Sequence, residues 1–247
     1  MRNIVLITDK RKIKSKKYEH LFSYLDQLIL PHTNKPVEVE IVDTEEEYDQ
    51  FDLGRFNPSG KYTLVVSLGG DGTALKAMKL AFSFRQFDVL PVGSGRIGYL
   101  VSPIESFSSI LDEYLQPLAD TKTLRERNLG DNYIKRRPIL QNGDYKLPAF
   151  NEVVIIKNSP TRLLDLLIET YDQKVKLRAD GIIISTSLGS TAYNYSAGGP
   201  IVHNDIDSIV VTPISPFSKF PRSIVLSGKS KISVTISKNQ NYAIQFD

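Results

Sequence analysis

The sequence contains no cysteine and no tryptophan among its 247 residues, and it has only three histidines. The absence of cysteine excludes disulfides, thiolate metal sites and cysteine nucleophiles. His20, His32 and His203 lie too far apart in sequence to suggest a local zinc motif. No apolar stretch approaches the roughly 20 residues that a membrane-spanning helix needs.

Charge of neither sign dominates, because 31 Lys and Arg residues and 28 Asp and Glu residues leave a net charge of +3. That excess is too small to indicate nucleic-acid binding. One locally basic run, Lys10–Lys17, is interpreted mainly as a solvated loop and helix start, with phosphate contact as the less favoured alternative. Met1–Thr8 is too short for a signal peptide and is predicted to be a strand, which agrees with a cytoplasmic protein without a membrane partner.

Strand and helix patterns alternate through the first half of the chain. This alternation predicts an α/β domain with a parallel sheet and helices on both faces. Ligands bind such sheets at the carboxyl ends of the strands, where two glycine-rich turns, 69–72 and 93–98, are found. The predicted strands are 3–8, 37–42, 62–67 and 88–92, and the predicted helices are 15–30, 73–82 and 104–115.

Strand patterns follow one another after about residue 120 and predict a second, β-rich domain. A short helix is expected near 190–196. We place the boundary near residues 116–122, which gives an α/β domain over 1–118 and a β-rich domain over 119–247. The predicted strands of the second domain are 133–141, 152–157, 163–171, 174–178, 181–186, 208–213, 223–226 and 231–237.

The sequence Ser-Leu-Gly-Gly-Asp-Gly-Thr at 67–73 follows an apolar strand and precedes a helical pattern. Gly69, Gly70 and Gly72 can adopt positive φ, and their amides can converge on an anion at the start of the helix. Asp71 is then placed to remove a proton from a hydroxyl that attacks a phosphate. The alternative is an ordinary tight turn between strand and helix. The spacing is neither that of a Walker A loop nor that of Gly-x-Gly-x-x-Gly.

Three further motifs lie in the second half. Asn151-Glu152 before an apolar strand can hold a ribose diol, although a strand-edge polar pair is the favoured interpretation in isolation. Asp180-Gly181, by spacing alone, is predicted to be a hairpin turn. The run 185–200 combines hydroxyls, small residues and two tyrosines, which favours a ligand-binding segment over a plain Ser/Gly-rich loop.

Together these motifs and Ser215-Pro216-Phe217 resemble the bacterial NAD kinases, the ATP/polyphosphate-NAD kinase family. The resemblance extends from about residue 62 to the end of the chain. The Gly-Gly-Asp-Gly turn also occurs in phosphofructokinases and in diacylglycerol and sphingosine kinases. The run Gly-Ser-Thr-Ala-Tyr…Ser-Ala-Gly-Gly-Pro-Ile is highly specific to NAD kinases.

The resemblance implies an α/β domain, a β-rich domain and an active site between them. It implies phosphorylation of the 2′-hydroxyl of the adenosine ribose of NAD, giving NADP. The expected donor is ATP with Mg²⁺, or polyphosphate, and the divalent cation is assigned to the donor rather than to protein ligands. A homodimer or homotetramer is expected. The alternatives are a lipid or sugar kinase with the same glycine turn, or a non-catalytic NAD-binding protein.

The resemblance also assigns site residues. It makes Asp71 the general base, Gly72 its neighbour at NAD and Lys76 a basic contact. Asn151 and Glu152 hold NAD. The remaining assigned binding positions are Gly69, Gly70, Thr73, Arg178, Asp180 (from this chain or a neighbouring subunit), Thr191, Ala192, Tyr193, Asn194, Tyr195 and Ser196.

The chain departs from the family pattern at three positions. Ser94 replaces an asparagine, and Ser187 and Leu188 replace the last two residues of Ser-Thr-Pro-Thr/Ser before Gly189. We expect Leu188 to lose any polar contact made by that side chain. The family usually continues past the last strand with an Asp-Gly pair and one more β-segment, so the sequence, which stops at Asp247, is expected to be truncated, processed or incomplete.

Overall fold

The computed structural model describes ten stretches of the chain, given at the end of this paragraph. The chain divides into two compact units, Met1–Lys135 and Arg136–Asp247. The boundary predicted near 116–122 lies largely outside the described residues and stays a prediction. The described stretches are 3–28, 36–44, 63–84, 87–93, 98–115, 128–129, 132–133, 148–171, 173–217 and 222–247.

The first unit contains a four-stranded sheet with the order β2-β1-β3-β4. Each neighbouring pair is parallel. β2 and β3 flank β1 on opposite sides, so the strand order changes direction between β1 and β3. Open α/β sheets bind ligands at the carboxyl ends of the strands on either side of such a switch point. The strands are β1 (Asn3–Thr8), β2 (Glu38–Asp43), β3 (Thr63–Gly69) and β4 (Phe87–Gly93).

Helices cover both faces of this sheet, as the alternation predicts. On one face, α2 and α4 pack against alternate residues of β1 and β3, including Ile4 and Leu6. On the other face, α3 packs Ala77, Leu80 and Ala81 against the intervening residues of the same strands. Spacing of three and four residues puts these side chains on one side of α3. The helices are α1 (Lys10–Ile13), α2 (Glu19–Asp26), α3 (Asp71–Phe84) and α4 (Phe107–Leu115), and a short hairpin joins β5 (Asn128–Leu129) to β6 (Asn132–Tyr133).

The second unit contains a five-stranded sheet, β12-β11-β10-β7-β14, and a three-stranded sheet, β13-β8-β9. Their described pairings are antiparallel. Buried and half-buried residues alternate along β8, and its buried side chains share one core with β10 and β11. The elements are β7 (Glu152–Lys157), β8 (Leu164–Glu169), β9 (Lys174–Ala179), β10 (Gly181–Thr186), α5 (Tyr193–Ser196), β11 (Ser208–Ile214), β12 (Ile224–Ser227), β13 (Ser233–Ile236) and β14 (Tyr242–Phe246).

The hairpin predicted at Asp180-Gly181 is wrong. The strands on either side belong to different sheets, so these two residues form a corner at which the chain passes from one sheet to the other. The Asp180 amide donates to the Ile214 carbonyl at 2.9 Å, and its carbonyl accepts from the Lys157 amide at 2.9 Å. A Cβ on Gly181 would overlap the Ile155 carbonyl. Glycine is needed here because two backbones approach closely.

Within the described residues, the helices are all too short or too polar to cross a membrane.

Candidate active site

The glycine turn lies at the carboxyl end of β3, where Gly69 aligns with Gly93 of β4. The Gly70 carbonyl accepts hydrogen bonds from the amides of Thr73 at 3.0 Å and Ala74 at 3.1 Å, which starts α3. The turn therefore places the amino end of a fourteen-residue helix at the edge of the sheet where ligands bind.

The glycines of this turn differ in their surroundings. A Cβ on Gly69 would overlap the Thr73 side chain, whereas a Cβ on Gly70 or Gly72 would meet no atom within 4 Å. The turn does not use a positive φ at any of these glycines. In the described part of the chain, Gly198 is the one glycine with positive φ. At Gly70 and Gly72, the missing side chain instead leaves the backbone open to a ligand.

Asp71 is the first residue of α3, and the backbone after β4 holds its carboxylate. Oδ2 accepts from the Tyr99 amide at 3.0 Å, and Oδ1 accepts from the Leu100 amide at 3.1 Å. A Cβ on Gly98 would overlap this carboxylate. A carboxylate has about four acceptor positions, so each oxygen can still accept a hydrogen bond from a substrate hydroxyl. Sequence reasoning singled out the glycine-rich turn at 93–98 but did not connect it to Asp71. Ser94 lies outside the described residues.

Two other predicted residues of α3 lie near the same edge. The half-buried Thr73 side chain packs against Gly69. The exposed Lys76 ammonium donates to the carbonyl of Thr44, the residue after β2. Lys76 thus lies beside the carboxyl end of a second strand.

The basic run after β1 also reaches the glycine turn. The Lys12 ammonium donates to the Leu68 carbonyl at 3.4 Å, and the Thr8 hydroxyl donates to the same carbonyl at 3.1 Å. Asp9 caps α1, and hydrogen bonds from Arg11 lower the Asp9 pKa to about 2. The start of this run is therefore a capped turn next to β3.

In the second unit, Asn151 and Glu152 lie where β7 begins, beside the end of β10. The Asn151 carbonyl accepts from the Thr186 amide at 2.8 Å and from the Ser185 hydroxyl at 3.2 Å. A Cβ on Gly189 would overlap the Asn151 backbone. The predicted NAD-holding pair is thus fixed against the end of β10 and against Gly189, which follows it.

Glu152 is only 8% exposed. Burial and the negative charge of Asp247 raise the pKa of Glu152 to about 7, and a hydrogen bond from the Tyr193 backbone opposes them. The Asp247 carboxylate accepts from the amides of Phe150 at 3.2 Å and Asn151 at 2.9 Å. Sequence reasoning did not assign Asp247 to the site. Its only signal was its position directly after a short, mostly apolar run, Tyr242–Phe246.

The loop after β10 is built around Asn194, whose side chain is fully buried. Its amide nitrogen donates to the carbonyls of Ser190 at 2.8 Å and Pro200 at 3.0 Å. Its amide oxygen accepts from the Thr212 hydroxyl at 2.7 Å. A Cβ on Gly199 would overlap this side chain.

Gly198 has φ +85° after α5 and ends that helix with the left-handed conformation that glycine favours. The Gly-Gly-Pro sequence therefore shapes the loop.

The other predicted residues of this loop are less enclosed. Tyr193, Tyr195 and Ser196 are exposed, and Thr191 and Ala192 are half-buried. Leu188 is buried, which agrees with the expected loss of a polar contact at that position. The two tyrosines present aromatic faces on which a base can stack.

Arg178 and Asp180 lie at the other end of the strands. Arg178 Nε is 3.0 Å from Asp165 Oδ1, and its guanidinium lies 5.8 Å from the centre of the Phe217 ring. Asp180 pairs with Lys157. β10 runs from Gly181 to Thr186, and Thr186 is hydrogen-bonded to Asn151, so Asp180 lies roughly 20 Å from Asn151 at about 3.4 Å per residue. Within one chain, Arg178 and Asp180 do not join the Asn151 group.

Comparison with known proteins gives the family. The ATP-NAD kinase C-terminal domain model matches residues 150–247. An NAD kinase of Borreliella burgdorferi is 30% identical over 209 residues, covering 82% of this chain and 70% of that protein. The chain belongs to the NAD kinase family. Another NAD kinase, from Trichlorobacter lovleyi, is 37% identical over 71% of this chain and 60% of its own length.

Two solved structures share the fold of this NAD kinase family member. An NAD kinase from Archaeoglobus fulgidus in complex with ATP has a TM-score of 0.68 and 24% identity, covering all of this chain and 84% of that one. Yeast NADH kinase complexed with NADH has a TM-score of 0.68 and 22% identity, covering all of this chain and 75% of that one. The predicted fold class is confirmed.

The predictions of the family and of an NAD kinase enzyme that converts NAD to NADP are also confirmed, and a lipid or sugar kinase is not favoured. The roles of individual site residues stay predictions. Among the described residues, no three His, Cys, Asp or Glu side chains come together as a group that could hold a metal.

Proposed function

We propose that this chain transfers the γ-phosphoryl group of ATP to the 2′-hydroxyl of the adenosine ribose of NAD and so produces NADP. The match to an NAD kinase over 82% of the chain carries this proposal. The ATP in the Archaeoglobus structure supports ATP as donor, with Mg²⁺ bound to its phosphates and polyphosphate as an alternative donor.

Asp71 is the proposed general base. Its two backbone hydrogen bonds fix the direction of the carboxylate and leave acceptor positions on both oxygens. The ribose hydroxyl donates to one of these positions and gives up its proton as the phosphoryl group arrives. Positioned bases contribute about 10²–10⁴-fold to such rates.

Charge neutralisation is assigned to the surroundings of the glycine turn. Phosphoryl transfer depends chiefly on positioning and on electrostatic stabilisation, because the transition state is loose. The open backbone of Gly70 and Gly72, the amino end of α3 and the Lys76 ammonium are the groups proposed to face the donor's phosphates. The divalent cation travels with the donor.

NAD is proposed to bind at Asn151 and Glu152, with Tyr193 and Tyr195 supplying stacking faces. The NADH bound to the yeast enzyme supports a dinucleotide site in this family. Arg178 and Asp180 lie at the opposite end of the strands from Asn151 and Glu152. We assign them to a neighbouring copy's site in a homodimer or homotetramer. A cytoplasmic location is part of the same proposal.

The deciding experiment incubates the purified chain with NAD, ATP and Mg²⁺ and measures NADP. Saturable formation of NADP supports the proposal. Binding of NAD without product would instead indicate a non-catalytic NAD-binding protein, and the absence of both would indicate a different kinase. Replacing ATP with polyphosphate in a parallel reaction identifies the donor.

A further inference from the structure

Asp247 joins three consecutive residues at the start of β7. One of its carboxylate oxygens, Oδ2, accepts from the amides of Phe150 and Asn151, at 3.2 and 2.9 Å. The Asp247 amide donates to the Glu152 carbonyl at 3.4 Å. The side chain therefore fixes the backbone of the pair that is proposed to hold NAD.

One oxygen of Asp247 and one of Glu152 have no partner among the described residues. Asp247 Oδ1 and Glu152 Oε2 are both buried, and neither receives a hydrogen bond from a described residue. Leaving a buried polar atom unpaired is costly, and more so for a charged one. Two neighbouring carboxylates also resist ionising together. Glu152 is consequently suited to retain a proton until a hydrogen-bond donor arrives.

Few titratable groups face Glu152 from the elements packed around it. Asp247 approaches from the end of β14 and Tyr193 from α5, while β10 contributes the uncharged Ser185 opposite Glu152. Among the described residues, no basic side chain figures in the pKa of Glu152. A proton or a neutral donor is thus the partner that this position favours.

We propose that Asp247 is a positioning residue of the NAD site, which fixes the Asn151 backbone and, through its negative charge, keeps a proton on Glu152 until a ribose hydroxyl of NAD replaces it. The hydroxyl then donates to Glu152, and the displaced proton passes to solvent. This inference rests on the proposed binding of NAD at Asn151 and Glu152. It adds that NAD binding releases a proton near neutral pH.

Calorimetric titration with NAD in buffers of different ionisation enthalpy measures this proton. For the unmodified chain we expect release of about half a proton per NAD near pH 7, as for a group half-protonated at that pH. Asp247→Asn should remove most of the release, because its amide oxygen still accepts from Phe150 and Asn151 while its nitrogen can donate to an ionised Glu152. Glu152→Gln should also remove it.

Glu169→Gln is the matched control, because Glu169 is an acidic residue of the same unit paired with the exposed Lys174. It should release the same proton as the unmodified chain. An Asp247→Asn variant that binds NAD with unchanged proton release would overturn the inference. If the unmodified chain forms NADP in the presence of ATP but releases no proton when it binds NAD alone, the inference is overturned while the proposed function stays intact.

A measurement on the unmodified chain covers the case in which Asp247→Asn does not fold. Carboxyl carbon NMR can follow the titration of Glu152 with and without NAD. The midpoint should move to lower pH when NAD is bound. An unchanged midpoint with NAD bound contradicts the inference, whereas a chain that neither binds NAD nor forms NADP contradicts the proposed function.

Discussion

Gly70 and Gly72 in the turn after β3 face open space, whereas Gly189 and Gly199 in the loop after β10 press against Asn151 and Asn194. The first pair leaves backbone accessible to a ligand. The second pair allows a loop to close on its own interior. The missing side chain thus leaves backbone open at these two positions of the turn and permits close packing at these two positions of the loop, although both motifs belong to the same family resemblance.

Removing the Asp71 carboxylate is the strongest test of the first region. Asp71→Asn should lower kcat by about 10²–10⁴-fold, because the base is lost. NAD affinity should stay within a few-fold. The new amide leaves one of the Tyr99 and Leu100 amides poorly paired, so we also expect a loss of about 1–3 kcal/mol in unfolding free energy. Steady-state kinetics, compared at a temperature where both proteins are folded, checks this. Near-normal turnover would exclude Asp71 as the base.

Adding one methyl group to each kind of glycine tests the contrast directly. Gly189→Ala should destabilise the protein by about 1–3 kcal/mol or more, because its Cβ overlaps the Asn151 backbone. Gly72→Ala should fold with unchanged or slightly higher stability, since alanine favours a helix by up to about 1 kcal/mol, yet it should raise KM for ATP. Urea unfolding and kinetics measure both. If Gly72→Ala were the less stable of the two, the contrast would be reversed.

Gly98→Ala moves the Asp71 carboxylate without removing it. The new Cβ overlaps that carboxylate, so the side chain must turn away from its two amide donors. Misplacement by about 1 Å can cost about 10²-fold, and we expect kcat to fall by at least about tenfold. Ser109→Ala, on the exposed side of α4, serves as the control and should match the unmodified chain. A Gly98→Ala variant with full activity would show that the Tyr99 and Leu100 amides do not position the base.

The smallest expected effect is the pH dependence of stability contributed by Glu152. Its pKa in the folded protein is about 7, above the ordinary value of 4.5, so the folded state binds more protons than the unfolded state between these values. Unfolding free energy should therefore fall by about 1–3 kcal/mol as pH rises from about 4.5 to about 7. Glu152→Gln should flatten this decline in urea unfolding, while Glu169→Gln should not.

Periodicity predicted most of the fold because local patterns and packing agree. Strands 152–157 and 181–186 begin and end where the sequence indicates, since both are continuous apolar runs in the middle of a sheet. β14 was missed because Tyr242–Phe246 is short and half-exposed. The hairpin at Asp180 was wrong because a two-residue turn and a corner between sheets share the same Asp-Gly sequence, and distant pairing partners decide between them.

The candidate site was predictable in its residue types more than in its contacts. A glycine turn with an aspartate predicts the edge of the sheet at which a ligand would bind, and the structure places this turn at the carboxyl end of β3. The hydrogen bonds from Tyr99 and Leu100 to Asp71 come from backbone amides, which carry no sequence signature. Asp247 approaches Asn151 across 96 residues of chain. The inward direction of the Asn194 side chain could not be predicted, because polar residues in a Ser/Thr-rich run give no sign of whether they point inward.

The buried Asn194 side chain has a consequence for how fast a ligand can bind at Tyr193 and Tyr195. Its three hydrogen bonds join both ends of the loop to β11, so the tyrosines at 193 and 195 are carried on a backbone that is already ordered. A ligand that stacks there does not have to immobilise a loop first, which removes an entropic cost from its affinity. This loop itself should then add no slow closing step after encounter.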